Sequence, residues 1–290
     1  MKQPIAIISN PQSGYNKNTG LARIDALANH YGHPHIHATT PQEITQALKS
    51  IAAHSPECLV INAGDGTVDL IISVMRNQKI FKTEPALALL KGGTTNMIHR
   101  NVHLRGKPHQ GLERLLKGDT QTIAHPVLKV QRAEQGEPPL YGFFLGTNAI
   151  PRAILKTRAQ LHTKGMNGKF SEIFSVIRFV IRLFMKKNLD QDDVLKPATL
   201  IQNGDKQDVI FLALTSLKKL ISGLSSRATD RTIGTLSMKN DRRLKHDAIE
   251  RVSLETSEDW ILDGEIYLAG SIDIELGDPV RFWIDKTGTT

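Results

Sequence analysis

The chain has 290 residues, 40% of them hydrophobic, and a net charge of +8. That length predicts about two domains, each with a buried core. The single cysteine, Cys58, excludes an internal disulfide, and no window holds the roughly 18 uninterrupted apolar residues of a membrane span.

The first strand expected is Ile5 to Ser9, followed by the loop Asn10-Pro11-Gln12-Ser13-Gly14 and a helix over Gly20 to His30. The stretch Met1 to Asn10 lacks an extended apolar region or cleavage site, so a secretory signal is not expected, and the setting predicted is intracellular and reducing. His30, His33, His35 and His37 follow. The last three alternate, as metal ligands on one strand face would, but with no local acid or cysteine they are read as exposed loop and edge residues. Thr40-Pro41-Gln42-Glu43 is a capping box with proline at the first helical position, and it opens a helix to about Ala53. Two further strands, Cys58 to Asn62 and Ala86 to Leu90, each run into a glycine-rich loop: Ala63-Gly64-Asp65-Gly66-Thr67 and Lys91-Gly92-Gly93-Thr94-Thr95-Asn96. His99 and His103 lie four apart on a helix pattern without the HExxH glutamate, so a zinc hydrolase is not supported.

Short apolar strands alternating with helices predict a parallel sheet covered on both faces, an α/β domain over residues 1–122. Gly118 to Pro126 reads as the junction, and residues 123–290 form a second domain rich in strands. Its candidates are Leu140 to Leu145, Thr199 to Gln202, Val209 to Leu214, Ile233 to Met238, Glu250 to Leu254, Ile266 to Leu268, Ile272 to Leu276 and Val280 to Ile284. Asn203-Gly204 is a hairpin turn signal, and a β-sandwich is the architecture expected.

One apolar helix, 169–187, interrupts this domain, with a narrow polar stripe at Ser171, Ser175, Arg178 and Arg182. It packs in a core or meets lipid. Residues 123–189 carry 11 Lys plus Arg against 3 Asp plus Glu, so the basic excess sits beside this helix. Such a segment suits anionic headgroups or phosphorylated ligands and a peripheral membrane contact. Nucleic acid is not the expected partner, since no binding module appears and aromatics are only 5%. Asp190, Asp192 and Asp193 are read as a solvated acidic cluster.

The glycine loops carry the chemistry. At strand C-terminal ends in an open α/β sheet, glycines bring backbone N–H groups to a phosphate and the following helix adds a positive field. Neither a P-loop Lys-Ser/Thr pair nor the third glycine of the dinucleotide fingerprint is present. What remains is an acid, Asp65, between two glycines and beside Thr67. A carboxylate so placed can hold hydrated Mg2+ or take a proton from an attacking hydroxyl.

Taken in order, Asn10 to Gly14, Gly64 to Thr67, Gly93 to Asn96 and Asp263-Gly264-Glu265 resemble the diacylglycerol kinase and sphingosine kinase family, a distant relative of NAD kinases. The resemblance implies transfer of the ATP γ-phosphoryl group to a lipid hydroxyl, with Mg2+. It implies Asp65 and Glu265 as catalytic and metal-organising acids, and Asn10, Ser13, Gly14, Gly64, Gly66, Thr67, Gly93, Thr94, Thr95 and Asn96 as the nucleotide-binding set. The chain departs from the family pattern in four places. Ala63 replaces a glycine, Asp69 and Leu70 stand where Asn-Glu is usual, Met97 stands where an acid is usual, and Ile123 to Pro126 lacks an acid found early in the second domain. An NAD-kinase-like acceptor and a nucleotide-binding relative with a degraded site are the rival readings.

Overall fold

The computed structural model describes residues 4–93, 96–102, 104–133, 136–148, 150–151, 196–221, 224–239 and 243–286. The apolar segment 169–187, the acidic cluster at 190–193, His103, Thr94 and Thr95 lie outside the described residues. The chain forms two compact units, Met1–His125 with Pro279–Thr290, and Pro126–Asp278.

In the first unit, β1 (Ile5–Ser9) leads into α1 (Gly14–Thr19) and α2 (Ala22–Tyr31), then β2 (His35–His37), α3 (Pro41–Ala52), β3 (Cys58–Ala63), α4 (Asp65–Asn77), β4 (Ala86–Lys91), α5 (Met97–Asn101) and α6 (Pro108–Lys117). The strands align in parallel in the order β2-β1-β3-β4. All residues of β1 and β3 are buried, because helices cover both faces of the sheet. Ile5, Ile7, Cys58, Val60, Ala88 and Leu90 pack with Ile24 and Ala28 of α2 and Leu112 and Leu115 of α6. Burial also pushes the Cys58 thiol far up, leaving it an inert core residue. The Thr40 box forms as expected: its hydroxyl accepts from Glu43 N–H at 3.2 Å, and Glu43 accepts from Thr40 N–H at 3.2 Å and Thr39 N–H at 2.6 Å. Those bonds hold the Glu43 carboxyl below its usual range.

The second unit is built on β5 (Thr120–Arg132), β6 (Leu140–Gly142), β7 (Phe144–Asn148), β8 (Ala198–Gln202), β9 (Asp205–Val209), β10 (Phe211–Thr215), β11 (Lys219–Ile221), β12 (Leu224–Ser225), β13 (Ile233–Met238), β14 (Leu244–Ile249), β15 (Arg251–Thr256), β16 (Trp260–Leu262), β17 (Glu265–Tyr267) and β18 (Gly270–Asp285). Strands β5 and β18 contribute residues to both units. An antiparallel sheet runs β14-β13-β10-β7-β16-β17. A second antiparallel set pairs β18 with β15, β15 with β8 and β8 with β9. Leu212, Leu214, Trp260 and Leu262 of the first meet Leu200, Val252, Leu254 and Ile274 of the second in one core, the expected sandwich.

Several sequence expectations change. The boundary between the two units falls at His125 and Pro126, inside β5, a single strand of 13 residues. The predicted strands Ile272 to Leu276 and Val280 to Ile284 are one strand, β18. Its far end is grouped with the first unit, where Phe282 and Trp283 align in parallel with Leu87 and Ala88. The predicted strand Val209 to Leu214 is split between β9 and β10, because Asn203-Gly204 turns the chain at once and Gln202 pairs with Asp205. Asn203 at φ 51° and Gly204 at φ 87° supply the left-handed pair that such a two-residue turn needs.

Candidate active site

Three loops leave the C-terminal ends of β1, β3 and β4, where parallel sheets bind ligands. They are stitched into one cluster. Ser13 Oγ accepts the Gly64 N–H at 3.2 Å, and Asn10 Nδ2 lies 3.4 Å from Thr67 Oγ1. The Gly92 carbonyl accepts from the N–H groups of Tyr15 at 3.0 Å and Asn16 at 3.3 Å, at the start of α1. Asn16, which sequence reasoning missed, is buried and donates its side-chain amide to the carbonyls of Asn10 at 2.9 Å and Asn62 at 2.8 Å.

Glycine is required here by contact. A Cβ on Gly93 would lie 2.5 Å from the Gly64 Cα, and one on Gly92 would lie 2.4 Å from the Ala63 N. The second and third loops therefore touch backbone to backbone, which no larger residue permits.

Asp65 is the first residue of α4 and half-buried. Its Oδ2 accepts the Met97 N–H at 2.8 Å and its Oδ1 the Ile98 N–H at 3.2 Å, so one carboxylate caps the start of α5. Burial pushes its carboxyl above the ordinary value, against the lowering pull of those two amides and of the Arg100 charge. Each oxygen keeps a lone pair for a further partner. At the start of α4, Thr67 and Val68 bond back to the Gly64 carbonyl, leaving the Asp65 and Gly66 N–H groups without a partner among the described residues. They are a pair of oriented donors on a helix N-terminus.

Not every expected binder presents its side chain. Asn96, in the left-handed region at φ 51°, accepts the Gly93 N–H at 3.0 Å and donates to the Gly93 carbonyl at 2.5 Å. It shapes the loop instead of facing outward. The N–H groups of Gly64 and Gly93 are likewise taken, so the amides left for a phosphate are fewer than the glycine count suggests. Asn10, Ser13, Gly14, Gly64, Asp65, Gly66, Thr67, Gly93 and Asn96 are brought together on one edge; Thr94 and Thr95 lie outside the described residues. Met97 fills the position of the expected acid with a buried apolar side chain. Asp69, one turn after Asp65 on α4, is buried as well.

Glu265 belongs to the second unit, exposed at the start of β17. Its motif forms a tight turn, with Asp263 at φ 47° and Gly264 at φ 99° between the paired Leu262 and Glu265. The buried Asp263 carboxylate accepts the N–H groups of Phe143 at 2.5 Å and Phe144 at 3.0 Å, so this aspartate is a clamp on β7.

Two cations at the first unit's cluster carried no sequence signal of their own. Lys91 is exposed, with its ammonium 5.8 Å from the centre of the Tyr15 ring, and Arg100 is exposed on α5 near the Asp65 charge. Beside the first loop lies a cavity of about 360 Å³, lined by Tyr15, Asn16, Arg23, Asn62, Lys107 and His109 among others. Among the described residues, neither the oxygen nor the nitrogen of the buried Asn62 amide has a hydrogen-bond partner.

Residues 4–126 match the family model of the diacylglycerol kinase catalytic domain. This segment belongs to that family. The loop cluster around Asp65 thus lies within the segment that matches a diacylglycerol kinase catalytic domain, which supports a phosphotransferase of the lipid kinase type. Three solved structures from Bacillus anthracis str. Sterne share the fold. One, described as a diacylglycerol kinase, has 18% identity and a TM-score of 0.69 over 99% of this chain and 98% of its own. Two described as candidate diacylglycerol kinases follow. The first has 18% identity and a TM-score of 0.70, covering 97% of each chain. The other has 16% identity and a TM-score of 0.68, covering 99% of this chain and 97% of its own. No curated protein matches the sequence. Among the described residues, no helix is long and apolar enough to cross a membrane.

Proposed function

We propose that this chain is an ATP-dependent kinase that phosphorylates a lipid hydroxyl, with diacylglycerol or a similar lipid alcohol as acceptor. The observation that carries the reading is Asp65, a carboxylate of raised proton affinity fixed between two glycine turns in a diacylglycerol kinase catalytic domain.

The residues fit a Mg-nucleotide. The bare Gly64–Gly93 contact leaves a floor that a side chain would fill, and the free Asp65 and Gly66 N–H groups suit an anionic oxygen. Lys91 and Arg100 add positive charge, and the unpartnered Asn62 amide offers a donor and an acceptor beside the same loops. When bound, ATP with Mg2+ supplies the activated γ-phosphoryl group. Asp65 then takes the proton of the acceptor hydroxyl or orients the hydrated cation, and its bonds to Met97 and Ile98 fix its direction beforehand. Glu265 is assigned to support metal and phosphate on the strength of the motif alone.

The lipid acceptor is favoured by the apolar stretch 169–187 and the basic excess beside it. These also favour a peripheral contact with an anionic membrane surface on the cytoplasmic side. The test is incubation with Mg2+ and γ-labelled ATP over micelles of diacylglycerol, monoacylglycerol, ceramide and sphingoid base, with NAD as a soluble acceptor. Label in one lipid supports the reading; label in NAD alone contradicts it. The buried Met97 favours a second reading, a nucleotide-binding protein that transfers nothing. ATP binding with no labelled acceptor selects that one.

A further inference from the structure

On the outer edge of the first unit's sheet, Asp25, His35 and His37 bring one ligand atom each within 4.8 Å of one another. Asp25 lies on α2 and the histidines on β2, joined through Gly32, which ends α2 in the left-handed region at φ 70°. That sharp reversal lays the helix beside the strand, and residues two apart on a strand share a face. Asp25 Oδ1 lies 2.9 Å from His35 Nδ1 and 2.9 Å from His37 Nε2, and the two rings are 4.7 Å apart.

Asp25 Oδ1 is hydrogen-bonded to His37 Nε2 and pairs by distance with His35 Nδ1. The His35 side chain is only 5% exposed, and its Nδ1, 2.9 Å from the carboxylate oxygen, makes no well-aligned hydrogen bond among the described residues. The other ring nitrogen, Nε2, lies 2.7 Å from Ser9 Oγ. When Nε2–H donates to that hydroxyl, the Nδ1 lone pair is directed at Asp25, where two electron-rich atoms face each other. A cation between them turns this repulsion into ligation. The sequence reading, which found no acidic partner and took these histidines as exposed, missed both Asp25 and the burial of His35.

We propose that Asp25 Oδ1, His35 Nδ1 and His37 Nε2 form a binding site for a borderline divalent transition-metal ion, with Zn2+ the best match. Two imidazole nitrogens and a carboxylate are its preferred donors, and three protein ligands leave a fourth position for water or a substrate atom. Ser9 orients the buried ligand from behind, the usual outer contact of a ligating histidine. Asp25 at 37% and His37 at 45% side-chain exposure leave the ion a path in. Ser9 immediately precedes the first loop of the candidate active site, so an ion here stiffens that strand end.

The test is calorimetric titration of the full chain, freed of metal with a chelator, with Zn2+, alongside visible spectroscopy with Co2+. The result expected is one Zn2+ per chain and a tetrahedral Co2+ spectrum. Affinity should fall at least about tenfold in His37→Ala and in Asp25→Asn, while neighbouring His33→Ala binds as the parent does. Both ligand substitutions are partly exposed, and circular dichroism establishes that they fold. Absence of saturable binding, or unchanged affinity in both ligand variants, overturns the proposal.

Discussion

The carboxylate of Asp65 and the backbone N–H of Met97, 32 residues apart in sequence, meet at 2.8 Å. That bond ties the second glycine loop to the third and aims the acid before any ligand arrives. It also explains how the site keeps its shape with an apolar residue at position 97, since what position 97 contributes to the geometry is a main-chain donor.

Gly93→Ala should separate the loops, because its Cβ would lie 2.5 Å from the Gly64 backbone. Expected are a loss of about 1–3 kcal/mol in stability and weaker ATP binding, read from thermal unfolding and calorimetry.

Asn62→Ala should separate stability from binding. An amide with no partner costs the fold its desolvation, so removing it leaves stability unchanged or raised by about 1 kcal/mol. If nucleotide satisfies that amide, affinity for ATP falls in the same variant. Parallel denaturation and binding curves decide it.

Asp263→Ala should destabilise by about 2–4 kcal/mol, since two buried N–H groups lose their acceptor. ATP affinity of the folded fraction should stay unchanged, which binding measured below the melting temperature checks.

Much of this architecture is legible from local chemistry. Glycines and caps at Gly64, Gly93 and Thr40 act over a few residues, and the parallel strands β1, β3 and β4 are largely apolar runs, so both register in the sequence. The two long strands are not legible because Pro126 and Gly277-Asp278-Pro279 read as breaks, although both stretches lie within strands. The solvent-facing β14, Leu-Lys-His-Asp-Ala-Ile, offers no apolar alternation to detect. Site residues were missed for a related reason. Asn16 works through two main-chain carbonyls and Asp25 through a helix packed beside a strand, and neither spacing has a motif.

The raised carboxyl of Asp65 sets a sign for pH dependence. As a proton acceptor Asp65 works when ionised, so kcat/KM should fall as pH falls through its folded-state pKa. Because burial raises that value, the acid limb should lie above the ordinary aspartate value of 3.8. A limb at or below 3.8 contradicts the assignment.

The most direct test of the account is the single-turnover rate of labelled phosphoryl transfer from ATP to diacylglycerol, compared between the parent chain and Asp65→Asn with nucleotide binding measured on both. The account predicts ATP binding within a few-fold and a transfer rate lowered by about 10²–10⁴ in the variant. Transfer at the parent rate by Asp65→Asn contradicts it.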